Sequence, residues 1–217
     1  VAAALASLLT SRAPFAEPPP MSGQLLNKTV QQHPDFAHER IASWERLINH
    51  YKNTDHQKKL HVVNRFFNKM KFINDRDHWG EEDYWATPLQ MLTSNGGDCE
   101  DYSIAKYFTL RKMGIPAERL RLTYVKAIEL NQAHMVLAYY PAPDATPLIL
   151  DNLVNEIQTA TNRTDLQPVY SFNSTDLWLV KQRGGEQHIG RAGGLSRWQG
   201  VIARISSEQL SSLVAAR

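Results

Sequence analysis

The stretch Gly96-Gly97-Asp98-Cys99-Glu100-Asp101-Tyr102 leads from a glycine pair into an apolar periodic segment that ends at Gly114-Ile115-Pro116. Apolar residues at helical spacing predict a helix between these points, since glycine followed by proline is typical of a helix end. Asp98 is the expected N-cap, and acidic residues occupy the first turn. The single cysteine of the chain therefore lies at a helix start, where the helix dipole favours a thiolate.

The composition of the 217-residue chain excludes several classes of protein. Its length suits one domain with a sizeable core. The net charge is +2, and the lysines and arginines are scattered, so nucleic acid is not an expected partner. The chain has no apolar run of about 18 residues, so no transmembrane segment is predicted.

The first residues have the pattern of a targeting segment. An apolar run over residues 1–9, followed by small residues, predicts a signal-peptide remnant over residues 1–16 and hence an exported, periplasmic or extracellular protein. A frayed alanine-rich helix is the other interpretation. Residues 17–34 are predicted to be a linker, and residues 35–217 to form a single domain. In an oxidising compartment an exposed lone cysteine is prone to oxidation, so we expect it to be either buried or functional. Its acidic neighbours argue against burial.

Helical periodicity comes first along the chain and strand-like alternation follows. Helices are predicted over residues 35–51, 55–72, 85–92 and the segment after Asp98, with a polar loop over 74–83. Strands are predicted over residues 120–128, 134–140, 148–151, 168–172, 176–180 and 198–205, with loops at Gly184-Gly185 and Gly193-Gly194. This order indicates an α+β fold in which N-terminal helices pack on an antiparallel β-sheet.

One predicted hairpin brings two polar residues to the same face of the sheet. A turn centred between Ala142 and Pro143 pairs His134 with Asp151, and directly opposed residues of an antiparallel pair share a face. A shift of one residue would separate them, so the register is a hypothesis. Taken singly, an ordinary surface histidine and a turn aspartate would explain both residues. Together with Cys99, they suit a nucleophile, a base and an orienting carboxylate.

The same hypothesis needs donors for a developing oxyanion. The backbone N–H of Cys99 is one candidate, because an N–H at a helix start points toward developing charge. The second donor stays open, with a side chain near Trp85 or Gln90 as the candidates considered.

The acidic residues around the cysteine oppose thiolate formation. Asp98, Glu100 and Asp101 should raise the pKa of the thiol, and the helix end offsets only about 1 kcal/mol of that effect. A bound hard cation would offset more, and these oxygen ligands suit Ca²⁺. An N-cap with two solvated acids is an equally good interpretation on these grounds.

Three groups of residues carry a resemblance to a known family: Trp85-Ala86-Thr87-Pro88 with the stretch from Gly97 to Pro116, then His134-Met135-Val136-Leu137, then Leu150-Asp151-Asn152. Over about residues 35–205 the chain resembles the bacterial transglutaminase-like cysteine proteinases of the LapG type. The resemblance implies a papain-like, transglutaminase-like fold with Cys99, His134 and Asp151 as the catalytic triad. It also implies Ca²⁺ dependence, with Asp98, Glu100 and Asp101 matching the calcium ligands of the family.

The resemblance carries a cellular role as well. It implies a periplasmic endopeptidase that cuts the N-terminal region of a large cell-surface adhesin, commonly at paired alanines, and so releases biofilm cells. An inner-membrane cyclic-di-GMP receptor is the implied sequestering partner.

Other functions stay open at this stage. An amine in place of water would make the enzyme a transglutaminase-type acyltransferase, and a non-catalytic calcium-binding module that engages a receptor is the second alternative. Peptidoglycan hydrolysis is disfavoured, because no segment resembles a glycan-binding repeat.

Overall fold

The computed structural model describes residues 34–180 and 186–215, with side chains described over 36–180 and 186–208. The helices are α1 (Pro34–Tyr51), α2 (His56–Phe67), α3 (Asp75–His78), α4 (Pro88–Ser94), α5 (Cys99–Lys112) and α6 (Ser196–Ala215). The strands are β1 (Lys71–Phe72), β2 (Gly96–Gly97), β3 (Leu120–Ala127), β4 (Gln132–Tyr139), β5 (Leu148–Leu150), β6 (Gln158–Thr159), β7 (Leu166–Phe172), β8 (Asp176–Val180) and β9 (Glu186–Arg191). Within these ranges, no helix combines the length and apolarity needed to cross a membrane. The predicted signal remnant, the linker before Pro34 and the Gly184-Gly185 loop lie outside the described residues.

Local signals in the sequence set the helix boundaries. Asp55 caps α2 by accepting a hydrogen bond from the backbone N–H of Lys58 at 2.8 Å. At the start of α4, Thr87 and Gln90 form a reciprocal capping box and Pro88 occupies the first turn. Beyond α5, Gly114 has a φ of +88°, a conformation that glycine adopts without steric cost.

The fold is α+β, as predicted, with a seven-stranded antiparallel sheet in the order β6-β5-β4-β3-β7-β8-β9. Helix α5 packs against one face of this sheet, and Ser103 of α5 donates a hydrogen bond to the carbonyl of Met135 in β4 at 3.0 Å. Leu110 of α5, Leu122 of β3 and Leu137 of β4 are fully buried in the shared core. Helix α5 is thus held against the central strands, which fixes where its first residue lies.

Several elements differ from the prediction. The helix predicted over 55–72 ends at Phe67, because Lys71–Phe72 instead pairs in parallel with Gly96–Gly97. The strand predicted over 198–205 is wrong, because these residues belong to α6. Strands β1, β2, β6 and β9 were not predicted, and the short helix α3 lies in the segment predicted to be a polar loop over 74–83. Trp198 and Val201 are fully buried, and Ile202 and Ile205 continue the same helical spacing. A helix places all four side chains on one face, where they pack against the core.

The predicted register of the β4–β5 hairpin is also wrong. Leu137 faces Leu150 rather than Leu148, so the pairing is displaced by two residues. The connection over residues 140–147 contains three prolines and a turn in which the N–H of Ala145 donates to the carbonyl of Ala142, so its centre lies later than predicted. A displacement of two residues keeps side chains on the same faces, since the side-chain period of a strand is two.

Candidate active site

Cys99 is the first residue of α5. Asp98 precedes it in an extended conformation at the N-cap position, as predicted, although its side chain makes no capping hydrogen bond. The Cys99 side chain is half-buried, and its thiol donates to the Glu100 carboxylate at 2.8 Å. It also lies within reach of the backbone N–H of Met135, which favours the thiolate. Helix α5 thus places the sulfur near Met135 of β4, the residue that follows His134.

His134 and Asp151 are in direct contact. His134 Nε2 lies 2.8 Å from Asp151 Oδ1, and both side chains are almost completely buried. An ionised carboxylate only accepts hydrogen bonds, so the neutral imidazole carries its proton on Nε2. Nδ1 is then the ring nitrogen that can accept a proton.

Asp151 is held by more groups than the sequence suggested. Its Oδ2 accepts a hydrogen bond from Arg163 Nη2 at 2.7 Å, and its Oδ1 also accepts from the N–H of Leu153 at 3.0 Å. Burial alone would raise the pKa of Asp151, but His134, the N–H of Leu153 and Arg163 outweigh it and lower the pKa to about 2. The carboxylate is therefore ionised at neutral pH.

Arg163 and a buried lysine complete the surroundings of Asp151. Arg163 also donates two hydrogen bonds to the carboxylate of Asp165, from Nε at 2.9 Å and from Nη2 at 2.7 Å. Lys106 of α5 is only 1% exposed, and burial lowers its pKa to about 7 while the charge of Asp151 opposes that shift. Sequence reasoning missed both cations, because neither stands near Asp151 in the chain or belongs to a spacing motif.

A cluster of carboxylates lies beside the cysteine. One oxygen from each of Asp75, Asp98 and Asp101 lies within 4.8 Å of the other two, and Asp98, Cys99 and Glu100 form a second such group. The backbone N–H of Tyr84 donates to Asp75, and that of Ala86 donates to Asp101 at 2.6 Å. Asp98 and Asp101 thus come together as predicted, while Glu100 turns toward the thiol.

The donors of this cluster suit a hard cation. Asp75, Asp98 and Asp101 each keep one buried oxygen without a hydrogen-bond partner among the described residues. A Cβ on Gly97 would lie 2.4 Å from Asp101 Oδ2, so only glycine leaves room for this carboxylate. Unpartnered carboxylate oxygens that converge are the ligands Ca²⁺ prefers. Asp75 was not predicted, because a single aspartate in a polar segment 23 residues before Asp98 carries no ligand spacing.

The charges of the cluster oppose the ionisation of its own members and of the nearby thiol. Burial, reinforced by neighbouring carboxylates, raises the pKa of Asp75 to about 6 and that of Asp98 to about 10, and burial likewise raises the pKa of Asp101. Burial and the charge of Glu100 also raise the pKa of the Cys99 thiol. Without a cation the site therefore opposes the thiolate that nucleophilic chemistry requires.

The two side chains considered as oxyanion donors have other partners. Gln90 accepts a hydrogen bond from the N–H of Thr87 at 2.8 Å. It also exchanges hydrogen bonds with the hydroxyl of Tyr84, so both its amide oxygen and its amide nitrogen already have partners. Trp85 Nε1 donates to Asp83 at 2.9 Å. The backbone N–H of Cys99 is the donor that the helix start supplies.

Comparisons with known proteins identify the family of this chain. A sequence profile described as bacterial transglutaminase-like cysteine proteinase BTLCP matches residues 33–184, more than half of the chain. A search of curated proteins found no match.

Solved structures of LapG from Legionella pneumophila are similar over most of both chains. The EGTA-treated form is 40% identical, with 83% of this chain and 96% of that chain covered and a TM-score of 0.73. The calcium-bound form is also 40% identical, with 84% and 98% covered and a TM-score of 0.71. A further LapG structure from the same organism is 39% identical, with 83% and 96% covered and a TM-score of 0.70. By sequence profile and by fold, this chain belongs to the bacterial transglutaminase-like cysteine proteinases.

Proposed function

We propose that this protein is a calcium-dependent cysteine endopeptidase with Cys99 as nucleophile, His134 as base and Asp151 as the orienting carboxylate. The observation that carries the proposal is the 2.8 Å contact between His134 Nε2 and Asp151 Oδ1, formed beside a cysteine at a helix start. This contact leaves Nδ1 of the ring to exchange a proton with the thiol.

The reaction follows from the roles of these groups. His134 Nδ1 accepts the thiol proton, and the thiolate sulfur attacks the carbonyl carbon of the scissile peptide bond. The backbone N–H of Cys99 stabilises the negative oxygen that forms. The imidazolium then gives its proton to the leaving amine, and water attacks the thioester to release the acid and regenerate the thiol. Asp151 stabilises the imidazolium throughout without becoming protonated.

Asp75, Asp98 and Asp101 are the residues proposed to hold Ca²⁺, with Glu100 next to them. When bound, the ion supplies positive charge that offsets the carboxylates beside the thiol and so favours the thiolate. Two of the similar LapG structures are described as calcium-bound and EGTA-treated, which supports this assignment. Asp75 is thus added to the calcium ligands predicted from the sequence, which are Asp98, Glu100 and Asp101.

The substrate, location and partner are proposed from the family resemblance. The substrate is the N-terminal region of a large cell-surface adhesin, whose cleavage in the periplasm releases biofilm cells. The partner is an inner-membrane cyclic-di-GMP receptor that sequesters the proteinase.

The test combines the purified protein with the N-terminal fragment of the adhesin, with calcium and with EGTA, and maps new termini by mass spectrometry. Cleavage that requires calcium and is lost in Cys99→Ala is the expected result. Cleavage that persists in EGTA would contradict the calcium requirement, and cleavage by Cys99→Ala would contradict the nucleophile.

The same assay separates hydrolysis from acyl transfer. The triad chemistry admits an amine in place of water, so a labelled primary amine is added to the reaction. Incorporation of the label without peptide-bond cleavage would support the transglutaminase-type alternative. A Cys99→Ala variant that keeps the biological output would support a non-catalytic calcium-binding module.

A further inference from the structure

A row of side chains crosses the sheet from the cysteine toward β8. Tyr124 of β3 faces Met135 of β4 on one side and Tyr170 of β7 on the other, and Tyr170 faces Leu179 of β8. Facing residues of antiparallel strands project to the same face of a sheet. The cross-strand row of Tyr124, Tyr170 and Leu179 therefore lies on the face that carries α5.

This row begins at the nucleophile. The backbone N–H of Met135 lies within reach of the Cys99 thiol, and Tyr124 faces Met135 across the sheet. A substrate whose carbonyl carbon sits at the sulfur would therefore have Tyr124 as a neighbour one strand away. The row is continuous with the proposed catalytic centre.

Among the described residues, the row is aromatic and aliphatic and is partly exposed. The rings of Tyr124 and Tyr170 stack with centroids 5.1 Å apart and planes 9° apart, and Tyr170 stacks in turn on the buried Phe172 at 6.3 Å. Leu179 is 45% exposed, and both tyrosines are half-buried. In contrast, Phe172, in the next row along β7, is fully buried against Trp198 of α6. Within the described part of the chain, the row is thus more exposed than the neighbouring row, which α6 covers.

We propose that the cross-strand row binds an extended, apolar segment of the substrate on one side of the scissile bond; this inference rests on the proposed endopeptidase function. The distance from β4 to β8 spans three strand intervals, about 14 Å at the usual spacing. An extended chain covers that distance with about four residues at 3.3–3.6 Å each. Apolar substrate side chains within about four residues of the cleaved bond would cover the two rings and Leu179.

The chain supplies a matched pair of variants for the test. Leu179 belongs to the row, whereas Val180, the next residue of β8, lines the cavity on the opposite face of the sheet. Leu179→Lys and Val180→Lys introduce the same charge at adjacent positions of one strand. The adhesin fragment and synthetic peptides spanning its mapped cleavage site serve as probes, with full-length protein and saturating calcium. The rate of Cys99 alkylation by iodoacetamide checks that each variant keeps an intact thiol site.

The expected result is a KM about tenfold higher for Leu179→Lys than for Val180→Lys, with kcat within about twofold of the parent. Peptides carrying glutamate within four residues of the scissile bond should regain cleavage by Leu179→Lys. The KM of Tyr170→Phe should equal that of the parent, whereas the KM of Tyr170→Ser should be higher. A structural role alone would not produce this charge-dependent change of preference.

Other outcomes would overturn the inference. Equal KM values for Leu179→Lys and Val180→Lys would show that the row does not contact substrate. A change in the sedimentation of Leu179→Lys at an unchanged KM would assign the row to self-association. If the unsubstituted protein cleaves neither the fragment nor the peptides, the proposed function itself fails, and this inference fails with it before any variant is compared.

Discussion

Replacing Asp75 with asparagine should make the calcium-free protein more stable and weaken its binding of calcium. Burial and the neighbouring carboxylates raise the pKa of Asp75 from 3.8 to about 6. Such a difference corresponds to about 3 kcal/mol of unfavourable free energy for the ionised form in the folded protein. Asparagine removes this charge and can still accept the hydrogen bond from the N–H of Tyr84.

The sign of the effect depends on pH. A carboxyl group whose pKa is raised by folding destabilises the folded state once pH exceeds the unfolded value of 3.8, and the penalty is complete above about pH 6. At pH 7.5 in EGTA, Asp75→Asn should therefore gain about 3 kcal/mol, or roughly 6–12 °C in Tm for a domain of this size. Near pH 4 the gain should disappear.

Calcium should reverse the comparison. The variant loses one carboxylate ligand, so its calcium Kd should rise at least tenfold and saturating calcium should stabilise it less than the parent. Thermal unfolding in EGTA and in calcium, combined with calcium titration calorimetry, measures both effects. Asp77→Asn is the matched control, because Asp77 lies on the same short helix but is exposed and outside the cluster. A calcium-free Asp75→Asn protein that is no more stable than the parent at pH 7.5 would refute the reasoning.

Three further perturbations address the remaining parts of the site. Asp151→Asn should keep the fold but reduce kcat by orders of magnitude, because the amide fixes the wrong tautomer of His134, and steady-state kinetics with a circular dichroism spectrum would test this. Arg163→Met should lower the free energy of unfolding by about 3–5 kcal/mol in urea titrations, since it leaves a buried carboxylate without its cation; a change below 1 kcal/mol would speak against the buried pair. In saturating calcium, stability should fall as pH drops from about 4 toward 2, because the pKa of Asp151 is lowered on folding and its contribution is lost as it becomes protonated; a flat acid profile by fluorescence would contradict this.

The sequence predicted what local patterns encode and missed what packing decides. The N-cap position of Asp98, the helix after it and the stop at Gly114 are local signals and are confirmed, whereas the capping hydrogen bond of Asp98 does not form. The strand predicted over 198–205 is part of the helix over 196–215, and the helical spacing of Trp198, Val201, Ile202 and Ile205 was the signal that this prediction missed. The contact of His134 with Asp151 forms despite the wrong register, because a displacement of two residues preserves the face.

The residues of the site that sequence reasoning missed come from segments without a motif. Asp75 joins Asp98 and Asp101 only because β1, which precedes Asp75, pairs in parallel with β2, which precedes Asp98. Arg163 reaches Asp151 from a turn that follows β6. Neither Asp75 nor Arg163 belongs to a periodic pattern or a fixed spacing that could be recognised in a single sequence.

The last described helix, α6, bears on the position of a proposed calcium ligand. Arg204 donates to the carbonyl of Trp85, and Glu208 accepts from the Thr87 hydroxyl at 2.6 Å, across separations of 119 and 121 residues. The segment they hold carries the N–H of Ala86 that binds Asp101. Without α6 this segment would lose both contacts, and the N–H of Ala86 would be held less firmly against Asp101. A helix more than 100 residues away along the chain thereby helps to set the position of one proposed calcium ligand.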